Sequence, residues 1–150
     1  MGTTTRRPIQ PCVDAVMRRL LRSPLHGIVS KKIMLLEVTG RRSGTRYRIP
    51  IAYGEHGEEV LTGVSRARWL RNLTPERPVV ATVRGRRRTL YPELVTDEET
   101  AAALYPYIVG GNRAHARFQR LRVGPDGSVD RDDLRTALAR GLTVVRLRPA

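Results

Sequence analysis

The chain has 150 residues, 40% of them apolar, enough for one domain with a real core. Its 28 basic residues against 14 acidic give a net charge of +14, which favours anionic partners: nucleic acid, anionic lipid or an anionic cofactor. A single cysteine, Cys12, excludes an internal disulfide framework, and no apolar run approaches a membrane span or a signal-peptide core.

Residues 1–12 read as a flexible N-terminal tail and residues 13–150 as a single domain. Val13, Val16, Met17, Leu20 and Leu21 fall at helical spacing, with Arg18, Arg19 and Arg22 on the other face, and Ser23-Pro24 stops the helix. Such a helix ordinarily covers a sheet; being basic and amphipathic, it also leaves a peripheral membrane contact open. Leu25 to Ser30 reads as a turn or short helical segment. Ile33 to Thr39 is a nearly continuous apolar run, expected to be a strand buried on both faces. Tyr47 to Tyr53 is a second strand, Gly54 to Gly57 a hairpin turn, and Glu59 to Val64 a third strand. A short helix then starts near Ser65, taken as its N-cap, and carries Trp69, Leu70 and Leu73 on its apolar side.

Val79 to Arg84 and Thr89 to Val95 are strands four and five, joined by a turn at Gly85 to Arg88. Thr96-Asp97-Glu98-Glu99 forms a capping box that begins a helix over Asp97 to Val109. Gly110-Gly111-Asn112 breaks it, and a further helical piece runs through Phe118 and Leu121. Asp130 caps a helix over Arg131 to Arg140, ended by Gly141, and Leu142 to Leu147 is a returning strand. The order is helix, meander of five strands, helices, one strand. That is an α+β fold, most economically a small, partly open barrel.

The stretch Thr39 to Pro50 (TGRRSGTRYRIP) carries four arginines within eight residues, bracketed by two glycines and flanked by strands. Backbone N–H groups of a Gly-rich turn approach an anion closely, and arginines add forked, charge-assisted donors. The turn therefore suits a phosphate or carboxylate, and equally fits a solvated basic hairpin. His26, His56 and His115 lack metal-ligand spacing and neighbouring nucleophiles, so no metal is expected and no catalytic residue is assigned. The acids near 97–99 and 130–133 are explained as helix caps. Any chemistry then belongs to a bound cofactor. A nucleic-acid partner is disfavoured, because few aromatics lie among the arginines to stack bases.

Leu21-Arg22-Ser23-Pro24-Leu25-His26, Leu35 through Gly44 (LLEVTGRRSG), Pro50, Tyr53 and Trp69-Leu70-Arg71-Asn72-Leu73 together resemble the deazaflavin-dependent nitroreductase family of flavin/deazaflavin oxidoreductases. The resemblance covers most of residues 13–120. It implies a split β-barrel of the FMN-binding, pyridoxamine-phosphate-oxidase-like kind, with an N-terminal helix and C-terminal helices. It also implies coenzyme F420, an 8-hydroxy-5-deazaflavin, and hydride transfer to a small electron-poor molecule such as a quinone, enone or nitro compound. By carry-over, Arg41, Arg42, Ser43 and Gly44 hold the phosphate and polyglutamate tail. Pro50, Ile51 and Ala52 line the deazaflavin, and Gly63, Val64, Ser65 and Trp69 contact it from the following loop. Many members have arginine three residues before the proline; Tyr47 stands there, between Arg46 and Arg48, and Arg48 joins the cofactor-binding set. The loop before Trp69 is shorter than in the well-known nitroreductases. The segment Gly110 to Phe118 lacks their tyrosines, so bicyclic nitroimidazoles are not expected substrates, and the helix at 131–140 is an insertion. FMN or FAD is the alternative cofactor. A non-catalytic barrel holding another flavin, haem or lipid, or a basic nucleic-acid binder, is the alternative function. A cytoplasmic location follows from the lone cysteine, with membrane association and a homodimer left open.

Overall fold

The computed structural model describes residues 33–110 and 113–150. The predicted tail, the helix from Val13, the segment 25–30 and the Leu21 to His26 part of the resemblance lie outside the described residues.

Among the described residues, seven strands form one antiparallel sheet, assembled from three hairpins and a returning strand. β1 (Ile33–Thr39) pairs with β2 (Arg46–Ala52) across the basic turn, with Glu37 opposite Arg48 and Leu35 opposite Pro50. β3 (Gly54–His56) pairs with β4 (Glu59–Ser65), and β5 (Val79–Val83) with β6 (Arg86–Val95). β7 (Leu142–Arg148) inserts between β6 and β4. The resulting order is β2-β1-β5-β6-β7-β4-β3.

This is not the meander expected from the sequence, which would place consecutive strands side by side. The difference has a geometric cause. Tyr53 alone separates β2 from β3, yet these strands stand at opposite ends of the order, so the sheet curls into a half-barrel that brings its two edges together there. Tyr53 is buried at this seam, and Thr62 Oγ1 donates to the Ala52 carbonyl across it at 2.6 Å. β6 turns the corner: residues 86–90 pair with β5 and residues 91–95 with β7, and Pro92 lies just past the change of partner, within the β7 pairing.

Two further expectations are corrected. The segment Gly54 to His56, read as a turn, is a short strand, and the turn itself falls at Gly57-Glu58. Arg86 to Arg88, read as part of a turn, open β6 instead. The β5–β6 connection needs only Arg84 (φ 52°) and Gly85 (φ 80°), two left-handed residues as a type I′ hairpin requires.

Two cores lie on the two faces of the curled sheet. Inside the barrel, Met34, Leu36 and Val38 of β1 meet Val79, Ala81, Val83, Leu90, Val145 and Leu147. β1 is therefore buried on one face only; Ile33, Leu35 and Glu37 on the other are half-buried, short of the expected burial on both faces. Outside, Leu61 and Val144 meet the helices α1 (Glu98–Val109), α2 (Arg113–Phe118) and α3 (Arg131–Ala139). Asp130 accepts from Asp133 N at 2.9 Å and is the N-cap that the sequence predicts, whereas the cap of α1 is Asp97, which accepts from Thr100 N at 2.9 Å, one residue after the Thr96 of the expected capping box. α3 is clamped to the first turn of α1 by Arg131 and Arg135, which reach Glu98, and it lends Leu134 and Ala137 to the outer core.

Candidate functional site

The basic turn is held by its own backbone. Gly40 N donates to Thr45 O at 2.8 Å, Gly44 N to Gly40 O at 2.9 Å, and Thr45 N to Ser43 Oγ at 3.1 Å. Gly44 adopts φ 70°, the left-handed conformation that glycine takes without a side-chain clash. Arg41 and Arg42 are exposed, and neither forms an ion pair among the described residues. The turn is also tied to a distant segment: Arg41 N donates to Asn72 Oδ1 at 3.0 Å.

Asn72 ends a 3-10 helix, Arg68–Asn72. Its cap, Ala67, makes no side-chain hydrogen bond; Ser65 stays in β4 and does not cap the helix as the sequence suggested. Trp69 and Leu70 from this helix, Ile49 and Ile51 from β2 and Val64 from β4 are all partly buried against the barrel core. They form an apolar shelf whose strand, β2, is an edge of the sheet with β1 as its strand partner. At its other end the Arg41–Asn72 link joins the shelf to the basic turn.

The sequence-predicted residues divide accordingly. Ile51, Val64 and Trp69 each pack half-buried against the barrel core, and Arg41, Arg42, Ser43 and Gly44 occupy the basic turn, which Arg41 N ties to Asn72. Arg48, Pro50 and Ala52 alternate with Ile49 and Ile51 and so share the opposite face of β2, level with Glu37, Leu35 and Ile33. Gly63 and Ser65 fall on the helix side of β4. Asn72, Arg46 and Arg77 were not among the residues assigned to the cofactor, although Arg46 is one of the turn's four arginines. These three line a cavity of about 440 Å³ next to the turn, with Thr39, Glu37 and Arg87, the last two paired at 2.6 Å. Asn72 was nonetheless visible in the W-x-x-N-L motif.

Behind Gly63 lies a buried polar pair. Tyr105 and His115 share a hydrogen bond of 3.0 Å; Tyr105 is fully buried and His115 nearly so. A side chain at residue 63 would start 2.2 Å from Tyr105 Oη, so only glycine admits this approach. Burial pushes the Tyr105 hydroxyl well above its ordinary value and lowers His115 to about 4. At neutral pH the pair is thus uncharged. Among the described residues, no three His, Cys, Asp or Glu side chains are grouped to hold a metal.

A curled antiparallel sheet with helices on one side is the architecture of FMN-binding and pyridoxamine-phosphate-oxidase-like proteins, and solved structures agree. An F420-H2 dependent reductase (FDR-A) superposes with a TM-score of 0.57 at 16% identity, covering 79% of this chain and 95% of that one. A FAD-binding protein from Mesorhizobium loti gives 0.53 at 12% identity over 85% and 90% of the two chains. A domain-swapped dimer gives 0.57 at 15% identity over 95% and 100%. At these identities the likeness concerns the fold. None of the curated proteins is significantly similar to the chain. The family model of the F420H(2)-dependent quinone reductases matches residues 13–122, and the chain belongs to that family. It is an F420-dependent oxidoreductase, and its cofactor is coenzyme F420.

The described residues fit such a group. A flat deazaflavin needs an apolar surface near a sheet edge, which Ile51, Val64 and Trp69 provide. A tail bearing phosphate and carboxylates needs cations not already neutralised, which Arg41 and Arg42 provide.

Proposed function

We propose that this protein transfers a hydride from reduced F420 to a small, electron-poor quinone or enone, with the deazaflavin on the Ile51–Val64–Trp69 shelf and the anionic tail at the Arg41–Gly44 turn. The observation that carries this reading is the contact between Arg41 and Asn72, which sets the basic turn at the end of the apolar shelf. When bound, F420H2 supplies two electrons and a proton as a hydride. The shelf excludes water from one face of the ring, and the turn fixes its position through the tail. Tyr105 and His115 are buried on the helix side of Gly63 and uncharged, so solvent rather than this pair delivers the proton that completes the reduction. A bicyclic nitroimidazole is a weaker candidate, because the segment Gly110 to Phe118 has no tyrosine. The test is turnover of reduced F420 with a neutral naphthoquinone, a cyclic enone and a nitroimidazole in parallel. Oxidation of F420H2 by the first two supports the assignment; reduction of the nitroimidazole alone contradicts it. A homodimer in the cytoplasm is the assembly we propose, suggested by the dimeric structural neighbour and the lone cysteine, and light scattering decides it.

A further inference from the structure

We infer that Thr62 is a positioning residue: one buried hydroxyl sets the gap between the two strand edges that carry the shelf, and so the seating of the deazaflavin ring. This rests on the cofactor placement proposed above and deepens it.

The shelf straddles the seam of the half-barrel. Ile49 and Ile51 stand on β2 and Val64 on β4, and these two strands are not neighbours in the sheet. β2 has β1 as its strand partner, and β3 accompanies β4 only as far as Leu61, opposite Gly54. From Thr62 onward, among the described residues, no ladder joins β4 to β3 or to β2. The tie across the opening is a side chain: Thr62 Oγ1 donates to the Ala52 carbonyl at 2.6 Å. Ala52 directly follows Ile51, and Thr62 stands two residues before Val64 on the same face of β4. The bond therefore lies one step from the shelf on both of its sides.

The backbone of β2 makes that gap matter. In an antiparallel strand the N–H and C=O of one residue point to the same side, and the side alternates along the chain. The Ala52 carbonyl is turned to the seam, so the Pro50 carbonyl is turned there too. Proline at that position has no N–H to leave unpaired, which an edge strand tolerates. The width of the seam decides how a flat ring resting on Ile51 and Val64 meets this edge.

A hydroxyl is out of place in the surrounding wall. Thr62 is fully buried between Val60 and Val64 on the barrel face of β4, with Val145 opposite it on β7. Valine has nearly the same shape and would fill the wall with no polar group to satisfy. What the hydroxyl adds is its bond to β2. A second tie lies at the opposite end of β4 from Val64: Arg84, in the β5–β6 turn at φ 52°, pairs with Glu55 of β3, and Arg88 Nη2 donates to the Glu58 carbonyl at 2.5 Å. Neither of these contacts involves a shelf residue, so Arg84 serves as a control for loosening of the barrel in general.

The experiment compares Thr62→Val, which keeps the shape, Thr62→Ser, which keeps the hydroxyl, and Arg84→Gly, whose glycine accepts the same backbone angle. Oxidised F420 is titrated into each by fluorescence, and the emission of the bound ring is read at saturation. Hydrogen exchange over residues 46–56 is followed by mass spectrometry on the cofactor-free proteins. In Thr62→Val we expect F420 affinity to fall roughly fivefold, emission at saturation to change, and exchange over 46–56 to quicken. Its Tm should stay within about 3 °C of the wild type. Thr62→Ser should restore affinity, emission and exchange, and Arg84→Gly should keep the wild-type affinity and emission. Wild-type binding and emission in Thr62→Val overturn the inference, as does unchanged exchange over 46–56. Failure of Thr62→Ser to restore binding, or an equal loss in Arg84→Gly, assigns the effect to the barrel as a whole and overturns it too. In all these outcomes the wild type still binds F420 and the cofactor reading stands; absence of F420 binding to the wild type removes that reading, and the role of Thr62 with it.

Discussion

The backbone N–H of Arg41 donates to Asn72 Oδ1 at 3.0 Å, joining two segments 31 residues apart in the chain. One is the basic turn between β1 and β2, the other the 3-10 helix that carries Trp69. The bond fixes the turn relative to that helix, and in the proposed cofactor site it therefore acts on binding through the position of the turn.

Asn72→Ala removes the acceptor and leaves Arg41 N–H to water. The bond contributes about 1 kcal/mol, so F420 affinity should drop roughly fivefold. Thermal stability should change little, because the bond is exposed. Fluorescence titration of the variant checks this, and unchanged affinity would separate the turn from the shelf.

Gly63→Ala places a methyl group 2.2 Å from Tyr105 Oη and 3.0 Å from His115 Nε2. Overpacking of this kind costs about 1–3 kcal/mol. Tyr105→Phe deletes the colliding oxygen at the expense of the hydrogen bond with His115. The double variant should therefore be more stable than the sum of the single losses predicts. Denaturant melts of the four proteins measure the coupling; strict additivity would place the methyl elsewhere.

His115 gives the protein an acid-sensitive step. Its folded pKa is lowered to about 4 by burial, whereas an unfolded histidine titrates near 6.5. Between these values the unfolded chain binds a proton that the folded one does not. Stability is therefore complete above about pH 6.5 and falls as the pH drops towards 4, by on the order of 3 kcal/mol. Carboxylates act further down: Glu98, held below its usual value by Arg135 and Arg131, loses its contribution only as the pH falls through its own lowered pKa. Thermal melts at pH 7.5, 6 and 5 should show the loss in the wild type and a flatter profile in His115→Gln. An identical slope in the variant would assign the effect to other groups.

Much of the fold was legible because local signals were strong. The nearly continuous apolar run from Ile33 to Thr39 gave the bounds of β1, though not its one-sided burial, and the acid-rich stretches after Thr96 and Asp130 announced their helices. β3 was hidden because its three residues, Gly54 to His56, look like turn residues; its pairing with β4 is decided by the seam at Tyr53. Strand order was equally hidden, since insertion of β7 between β6 and β4 depends on contacts that no local pattern encodes. Arg86 to Arg88 misled because the type I′ turn places an arginine, Arg84, where asparagine or glycine is usual. In the site, the turn and Trp69 were readable as motifs. The Tyr105–His115 pair was not, because its members stand ten residues apart on two helices separated by the Gly110-Gly111-Asn112 break.

The central claim is that F420 lies between the basic turn and the Ile51–Val64–Trp69 shelf. Fluorescence titration with oxidised F420, run alongside FMN, tests it most directly on the wild type and on the double variant Arg41→Ala with Arg42→Ala. The account predicts saturable micromolar binding that favours F420 over FMN and weakens at least tenfold in the double variant, about 1.4 kcal/mol. Equal binding of FMN, or unchanged F420 affinity in the double variant, would contradict it.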